Sequence, residues 1–437
     1  MTAYWCERAW LPDGVHDHVL LHCDSSGTLV SVESEVDSDG DAIVLPGLTF
    51  PGFANGHSHA FHRALRGRTH AGGGTFWTWR EAMYAEAARL DPDSYRELAT
   101  RVYTEMLLAG YTAVGEFHYL HHAPGGARYA DPNAMGEALI AAARDAGIRL
   151  TLLDTCYLTG GIGAPLSPPQ LRFGDGDADA WAARVDELAA RYAGAPDVRI
   201  GAAIHSVRAV PDTAIAPIAL WAKENNAPLH VHLSEQPAEN EACHAAYRRT
   251  PTELLHQHGA LTEHTTAVHA THLTNTDIGL LGAARATACF CPTTEADLAD
   301  GIGPARELAD AGAVLALGSD QHAVIDPFVE ARSLEYGERL RAGRRGRFTP
   351  AELVTSATAA GHAALGRPGA GCLVVGAPAD LVAVRLDTPR TAGVRPDQAI
   401  LAAGAADVHT VVVGGRTVIT DGRHALWPAP SSPASAN

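Results

Sequence analysis

From about residue 49 to about residue 365 the chain alternates between two textures. Short apolar runs rich in Val, Ile, Leu and Thr give way to Ala-rich stretches such as AMGEALIAAARDAG and AWAARVDELAARYAG. The first texture reads as buried strand and the second as helix, so the stretch reads as successive βα units around a parallel sheet. The strand runs are LTFPGFANGHSH, GYTAVGEFHY, RLTLLDTCY, VRIGAAIHS, PLHVHLSE, TTAVHATH, ATACFCP and AVLALGSDQ. Eight strands in βα repeats is the count that closes a (β/α)8 barrel, so the expected class is α/β of the TIM type.

Both ends of the chain carry a different pattern. HVLLH and AIVLPG precede the first barrel run; GCLVVGAPADLVAVRL and DVHTVVVGGRTVITDGR follow the last helical stretch, with Gly at the turns. The simplest arrangement pairs the two ends in one small β-sandwich, residues 1–48 with 369–425, beside a barrel of residues 49–368. Residues 426–437, rich in Pro, Ser and Ala, read as a disordered tail.

Composition narrows the function class. The formal charge is −17, and Lys223 is the single lysine. The nearest thing to a basic stripe is the short cluster Arg63, Arg66 and Arg68, which argues against a nucleic-acid partner. The N-terminus lacks the basic-then-apolar form of a signal peptide and no run reaches membrane-spanning length, so the expectation is a cytoplasmic protein without a membrane partner. Seven cysteines, an odd number without a framework, fit reduced thiols. Cys289 and Cys291 form a close pair but lack two further ligands, and read as buried core. GAGCLVVG opens onto a strand and not a helix, so it offers no phosphate cradle.

The chemistry sits at strand ends. His57 and His59 flank Ser58 at the end of the first barrel strand, so both imidazoles face one way, at the mouth where barrel active sites lie. Among 23 histidines such a pair means little alone. It is joined by His230-Val231-His232-Leu233-Ser234-Glu235 on the fifth strand, His269 on the sixth and Ser319-Asp320 on the eighth. Three neutral imidazoles and a carboxylate form the donor set of a catalytic divalent metal. The ordinary reading, unrelated polar residues, must explain why all lie at C-terminal strand ends.

PGFANGHSHAF, HVHLSEQ, VHATH and LGSDQH resemble the amidohydrolase superfamily in order and placement, over nearly the whole chain. FWTWREAMY, GYTAVGEFHY, IHSVRAV and CPTTEADLADGI are similar to the branch that deaminates the formimidoyl group of L-glutamate in bacterial histidine breakdown. The resemblance implies that His57, His59, His232 and Asp320 bind zinc, and that His269, Glu235 and Asp320 form the proton-transfer set. It also implies a small acidic amidine as substrate. Superfamily members with two metals commonly bridge them by a lysine on a central strand; Lys223 lies in a helical run, so one Zn2+ per chain is expected. Arg80 and Arg208 suit the two substrate carboxylates, because a guanidinium fork bonds a carboxylate at two points. His205 and Tyr119 complete the expected clamp, and His62, where the branch has Gln, is a further contact with altered hydrogen bonding. Phe76, Trp77 and Trp79 read as helix packing, with a lid over the site as the alternative, and His118, His121 and His122 have no assigned role. A homodimer is an open expectation. The rival readings are a deaminase of a nucleobase or other cyclic amidine, a ring-opening hydrolase, and a catalytically dead barrel scaffold.

Overall fold

The computed structural model describes residues 1–38, 40–70 and 76–426. The tail expected to be disordered lies, from residue 427 on, outside the described residues, as do the side chains of Phe76 and Trp77. Among the described residues no helix is long and apolar enough to cross a membrane.

Eight parallel strands run in sequence order around the barrel: β1 (Phe53–Ser58), β2 (Tyr111–His118), β3 (Arg149–Cys156), β4 (Val198–Ile204), β5 (Leu229–Leu233), β6 (Thr265–His269), β7 (Thr287–Phe290) and β8 (Val314–Leu317). Each lies within one of the eight apolar runs. Their residues are almost all buried on both faces, as parallel strands wrapped by helices require. The helix Pro92–Leu108 illustrates the outer layer. Asp91 caps it by accepting from Ser94 N at 2.8 Å, and Tyr95, Ala99, Val102, Tyr103 and Met106 form its buried stripe.

The ring closes between β1 and β8 just beyond the strand ends. Ser319 N and Asp320 N both donate to His57 O, at 3.1 and 3.0 Å, and His59 N donates to Asp320 O at 3.1 Å. Gly318 permits this approach, since a Cβ there would lie 2.9 Å from the N, O and Cβ atoms of His57. Gly318→Ala is expected to lower unfolding free energy by about 1–3 kcal/mol, the usual range for overpacking, as read by chemical denaturation.

The run LTFPGFANGHSH is two strands, not one. Leu48–Pro51 pairs antiparallel with Leu381–Val384 and parallel with Thr2–Leu11, and only Phe53–Ser58 enters the barrel. Both halves are buried throughout, so hydrophobicity alone does not mark the break. Gly52 marks it: its N–H donates to Asp380 O at 2.8 Å, and a Cβ would fall 2.1 Å from Thr112 Oγ1.

Both ends of the chain meet in one mixed nine-stranded sheet. It has its own core, including Tyr4, Cys6, Val19, Leu21, Leu381 and Val412. Arg149 of β3 reaches Asp380 with Nε and Nη2 at 3.0 and 3.2 Å, tying this sheet to the barrel. Lys223 sits exposed in the last turn of the helix Asp212–Glu224 and not on a barrel strand. Cys289 and Cys291 are buried free thiols.

Candidate active site and metal centre

Four side chains converge at the barrel mouth. His232 Nε2 lies 3.2 Å from His57 Nε2 and 3.3 Å from His59 Nε2, while Asp320 Oδ1 lies 3.3 and 3.4 Å from those same two nitrogens. The tautomers follow from their other contacts. His59 Nδ1 donates to Phe117 O at 2.9 Å and His232 Nδ1 to His205 O at 2.8 Å, because a carbonyl only accepts. Their Nε2 atoms therefore present lone pairs to one another, an arrangement without a hydrogen bond to hold it. A cation between them resolves the conflict. Separations of 3.2–3.4 Å are short enough for one cation to reach these atoms at about 2.0–2.1 Å each. The residues present thus fit a divalent metal. The backbone carbonyls that orient His59 and His232 are the outer partners that such ligands need.

Electrostatics agree with this. Burial, with the positive fields of neighbouring imidazoles, holds His59 and His232 well below the usual histidine range, leaving them neutral. Burial alone would raise the Asp320 carboxyl, but the hydrogen bond and field of His57, with the fields of His269 and His62, keep it low and ionised. Asp320 (φ 41°) and His269 (φ 67°) both occupy the left-handed region, which is uncommon for residues with a Cβ and clusters at functional sites.

His269 and Glu235 flank the ligand cluster. His269 Nε2 lies 3.9 Å from both Asp320 Oδ2 and Glu235 Oε1. Its Nδ1 meets Glu295 Oε1 at 3.3 Å. Burial works against charge on His269, yet Glu235, the Glu295 contact and Asp320 together push it up to about 10 in this cluster of acids. Burial raises Glu235, with Asp320 and Glu295 adding to the rise and His269 and Arg208 opposing it, so this carboxyl is biased toward carrying a proton. Buried acid and ionised acid side by side is the arrangement by which one site handles both directions of proton transfer.

The adjoining cavity has an empty volume of about 570 Å³, its open mouth included. All five expected contact residues, His62, Arg80, Tyr119, His205 and Arg208, line it together with His59, His232, Glu235, His269 and Asp320. His62 Nε2 and Tyr119 Oη are 2.9 Å apart, and burial pushes His62 down to about 3, leaving it neutral. The His205 ring packs edge-on against Tyr157 at 4.4 Å, while its carbonyl holds His232. Arg80 projects from the helix Phe76–Ala87 and Arg208 from the segment after β4.

Several residues of the site carried no sequence signal strong enough to assign them. Trp79, read as helix packing or a lid over the site, packs in the core and lines the cavity with its ring 5.0 Å from His62. Glu295 follows β7 and supports His269. Glu116, in β2, accepts from Ser58 Oγ at 2.7 Å and Ala60 N at 2.6 Å, anchoring the turn that carries His57 and His59. His118, His121 and His122 lie apart from the cavity, beside Asp154 and Asp175. Arg184 bonds both carboxylates at 2.7–3.0 Å and offsets one of their two charges.

These features define a hydrolase centre with a cluster of metal-ligating side chains at the mouth of a TIM-type barrel. A family model described as the amidohydrolase family matches residues 48–418, and the chain belongs to that family. It is 39% identical, over 97% of its length and 96% of the relative's, to formimidoylglutamate deiminase of Pseudomonas aeruginosa. It is 32% identical to 8-oxoguanine deaminase of the same organism, over 86% of this chain and 83% of that one. Among solved structures, an amidohydrolase from Brucella melitensis superimposes with a TM-score of 0.92 at 34% identity, covering 98% of this chain and 96% of that one.

Proposed function

We propose that the protein hydrolyses N-formimidoyl-L-glutamate to N-formyl-L-glutamate and ammonia, a step of histidine degradation, with one zinc ion per chain. The observation that carries this reading is the pairing, in one cavity, of the metal and proton-transfer set with two guanidiniums, Arg80 and Arg208. A linear amidine on a dicarboxylic acid needs both ends. The near-full-length relative that deaminates this compound supports the same choice. A neutral nucleobase offers no carboxylate to a guanidinium fork, which disfavours the cyclic-amidine reading.

His57, His59, His232 and Asp320 would hold the metal, and three imidazole nitrogens with one carboxylate oxygen suit zinc. A bound divalent ion there supplies Lewis acidity and brings a water's pKa to roughly 7. The chain's own residues divide the remaining work. Arg80 and Arg208 fix the carboxylates, with Tyr119, His205 and His62 completing the walls. Asp320, ionised, accepts the proton released as water adds to the formimidoyl carbon. His269 orients the reacting oxygen through Nε2, its ring held by Glu295 at Nδ1. Glu235 delivers a proton to the terminal nitrogen; the C–N bond breaks, ammonia departs, and the formyl group stays on the α-nitrogen.

Ammonia release on a panel of N-formimidoyl-L-glutamate, cytosine, guanine and 8-oxoguanine tests the assignment. Turnover of the linear amidine alone is expected, and turnover of a nucleobase alone contradicts it. Elemental analysis is expected to find one metal equivalent per chain and little in His232→Ala. Two equivalents in active protein, or full retention in the variant, contradict the ligand set.

A further inference from the structure

Arg208 stands between two buried carboxylates. Its Nη2 lies 3.7 Å from Glu235 Oε2 and its Nε lies 3.8 Å from Glu239 Oε2, both longer than a hydrogen bond. Glu235 follows β5. Glu239 comes one helical turn later, in the first turn of the helix Pro237–Tyr247. Glu239 is 1% exposed, and neither of its oxygens has a hydrogen-bond partner. It is absent from the lining of the substrate cavity and faces a second chamber behind it, with Gly160, Ser206, Gln236 and Ala242. Arg80 and Arg208 line both spaces.

A carboxylate buried without hydrogen bonds is unfavourable unless a cation faces it. The charged groups facing Glu239 are Arg208, Glu235 and His269. Burial pushes its carboxyl up to about 7, Arg208 opposing the rise and Glu235 adding to it. Arg208 is therefore shared between two acids at nearly equal distances, one of which has chemistry to perform. We propose that Glu239 is a positioning residue: it holds Arg208 by the Nε edge and so keeps the guanidinium from closing onto Glu235. Arg208 then remains presented to the substrate carboxylate, and Glu235 remains available to the leaving nitrogen. The second half of this statement rests on the function proposed above; the first half rests on geometry alone.

Glu239→Gln keeps the shape and removes the charge. In a crystal structure of this variant Arg208 is expected to close onto Glu235 at about 2.8 Å, the length of a charge-assisted hydrogen bond. An unmoved Arg208 overturns the inference whatever the substrate is. N-formyl-L-glutamate serves as a non-reacting probe in solution. Its Kd is expected to rise about 10-fold or more in Glu239→Gln, the scale of one weakened hydrogen bond to a charged group. The Glu235→Gln/Glu239→Gln double variant is expected to bind as Glu235→Gln does, because the competing acid is gone. Adding Glu239→Gln to Arg208→Met is expected to change nothing further. Equal losses in all three backgrounds would mark a merely structural role and overturn the proposal. Glu239→Asp keeps the charge at shorter reach and is expected to lose less than Glu239→Gln; an equal loss also counts against it. If the wild-type chain does not bind N-formyl-L-glutamate, the functional reading fails, while the position of Arg208 still decides the role of Glu239.

Discussion

Glu235→Gln is expected to fold and keep its metal while kcat falls by about 100-fold or more, the usual contribution of a placed acid–base group. The amide preserves the contacts of the side chain within the buried cluster but cannot deliver a proton to the departing nitrogen. The direction of its titration adds a second signature. Burial, Asp320 and Glu295 raise Glu235 above the ordinary carboxyl range, so its protonated form persists to higher pH. Activity that depends on that form is lost as pH rises through the raised pKa, and this alkaline limb is expected to vanish in the Gln variant. Turnover within a few-fold of wild type would remove Glu235 from the proton-transfer set.

The second large effect concerns chain length. The metal site fixes one end of the cavity and Arg80 and Arg208 the other, so the number of methylenes between the carboxylates and the amidine sets where the reacting carbon lies. N-formimidoyl-L-aspartate, one methylene shorter, satisfies one end but not both. A misplacement of about 1 Å can lower rate by roughly 100-fold, and kcat/KM is expected to favour the glutamate compound by at least that factor. Arg208→Met is expected to reduce transition-state binding by about 2–4 kcal/mol and erase much of the preference, with the metal retained. Equal kcat/KM for the two amidines in the wild-type enzyme would contradict the clamp.

The sequence made the barrel legible because every barrel strand is followed by a helix of distinct texture. It made the ligands legible because strand periodicity fixes which way His57 and His59 face. Two kinds of feature escaped it. The division at Gly52 is silent in hydrophobicity, since Leu48–Pro51 and Phe53–Ser58 are equally buried, in different sheets. The supporting acids escaped because their partners are remote in sequence: Glu116 meets Ser58 across 58 positions, and Glu295 meets His269 across 26. An isolated Glu in an apolar strand or after a short one has no periodicity to betray its partner. Trp79 both packs in the core and lines the cavity, and a single sequence does not tell a tryptophan that packs a helix from one that covers a site.

The chain's central chemistry is the choice of which carbon–nitrogen bond breaks, and product analysis reads it directly. Metal-loaded protein incubated with N-formimidoyl-L-glutamate and followed by NMR is expected to yield ammonia and N-formyl-L-glutamate in equal amounts, because Glu235 protonates the terminal nitrogen. Formation of formamide and free L-glutamate, or no reaction while a nucleobase is deaminated, would contradict the account.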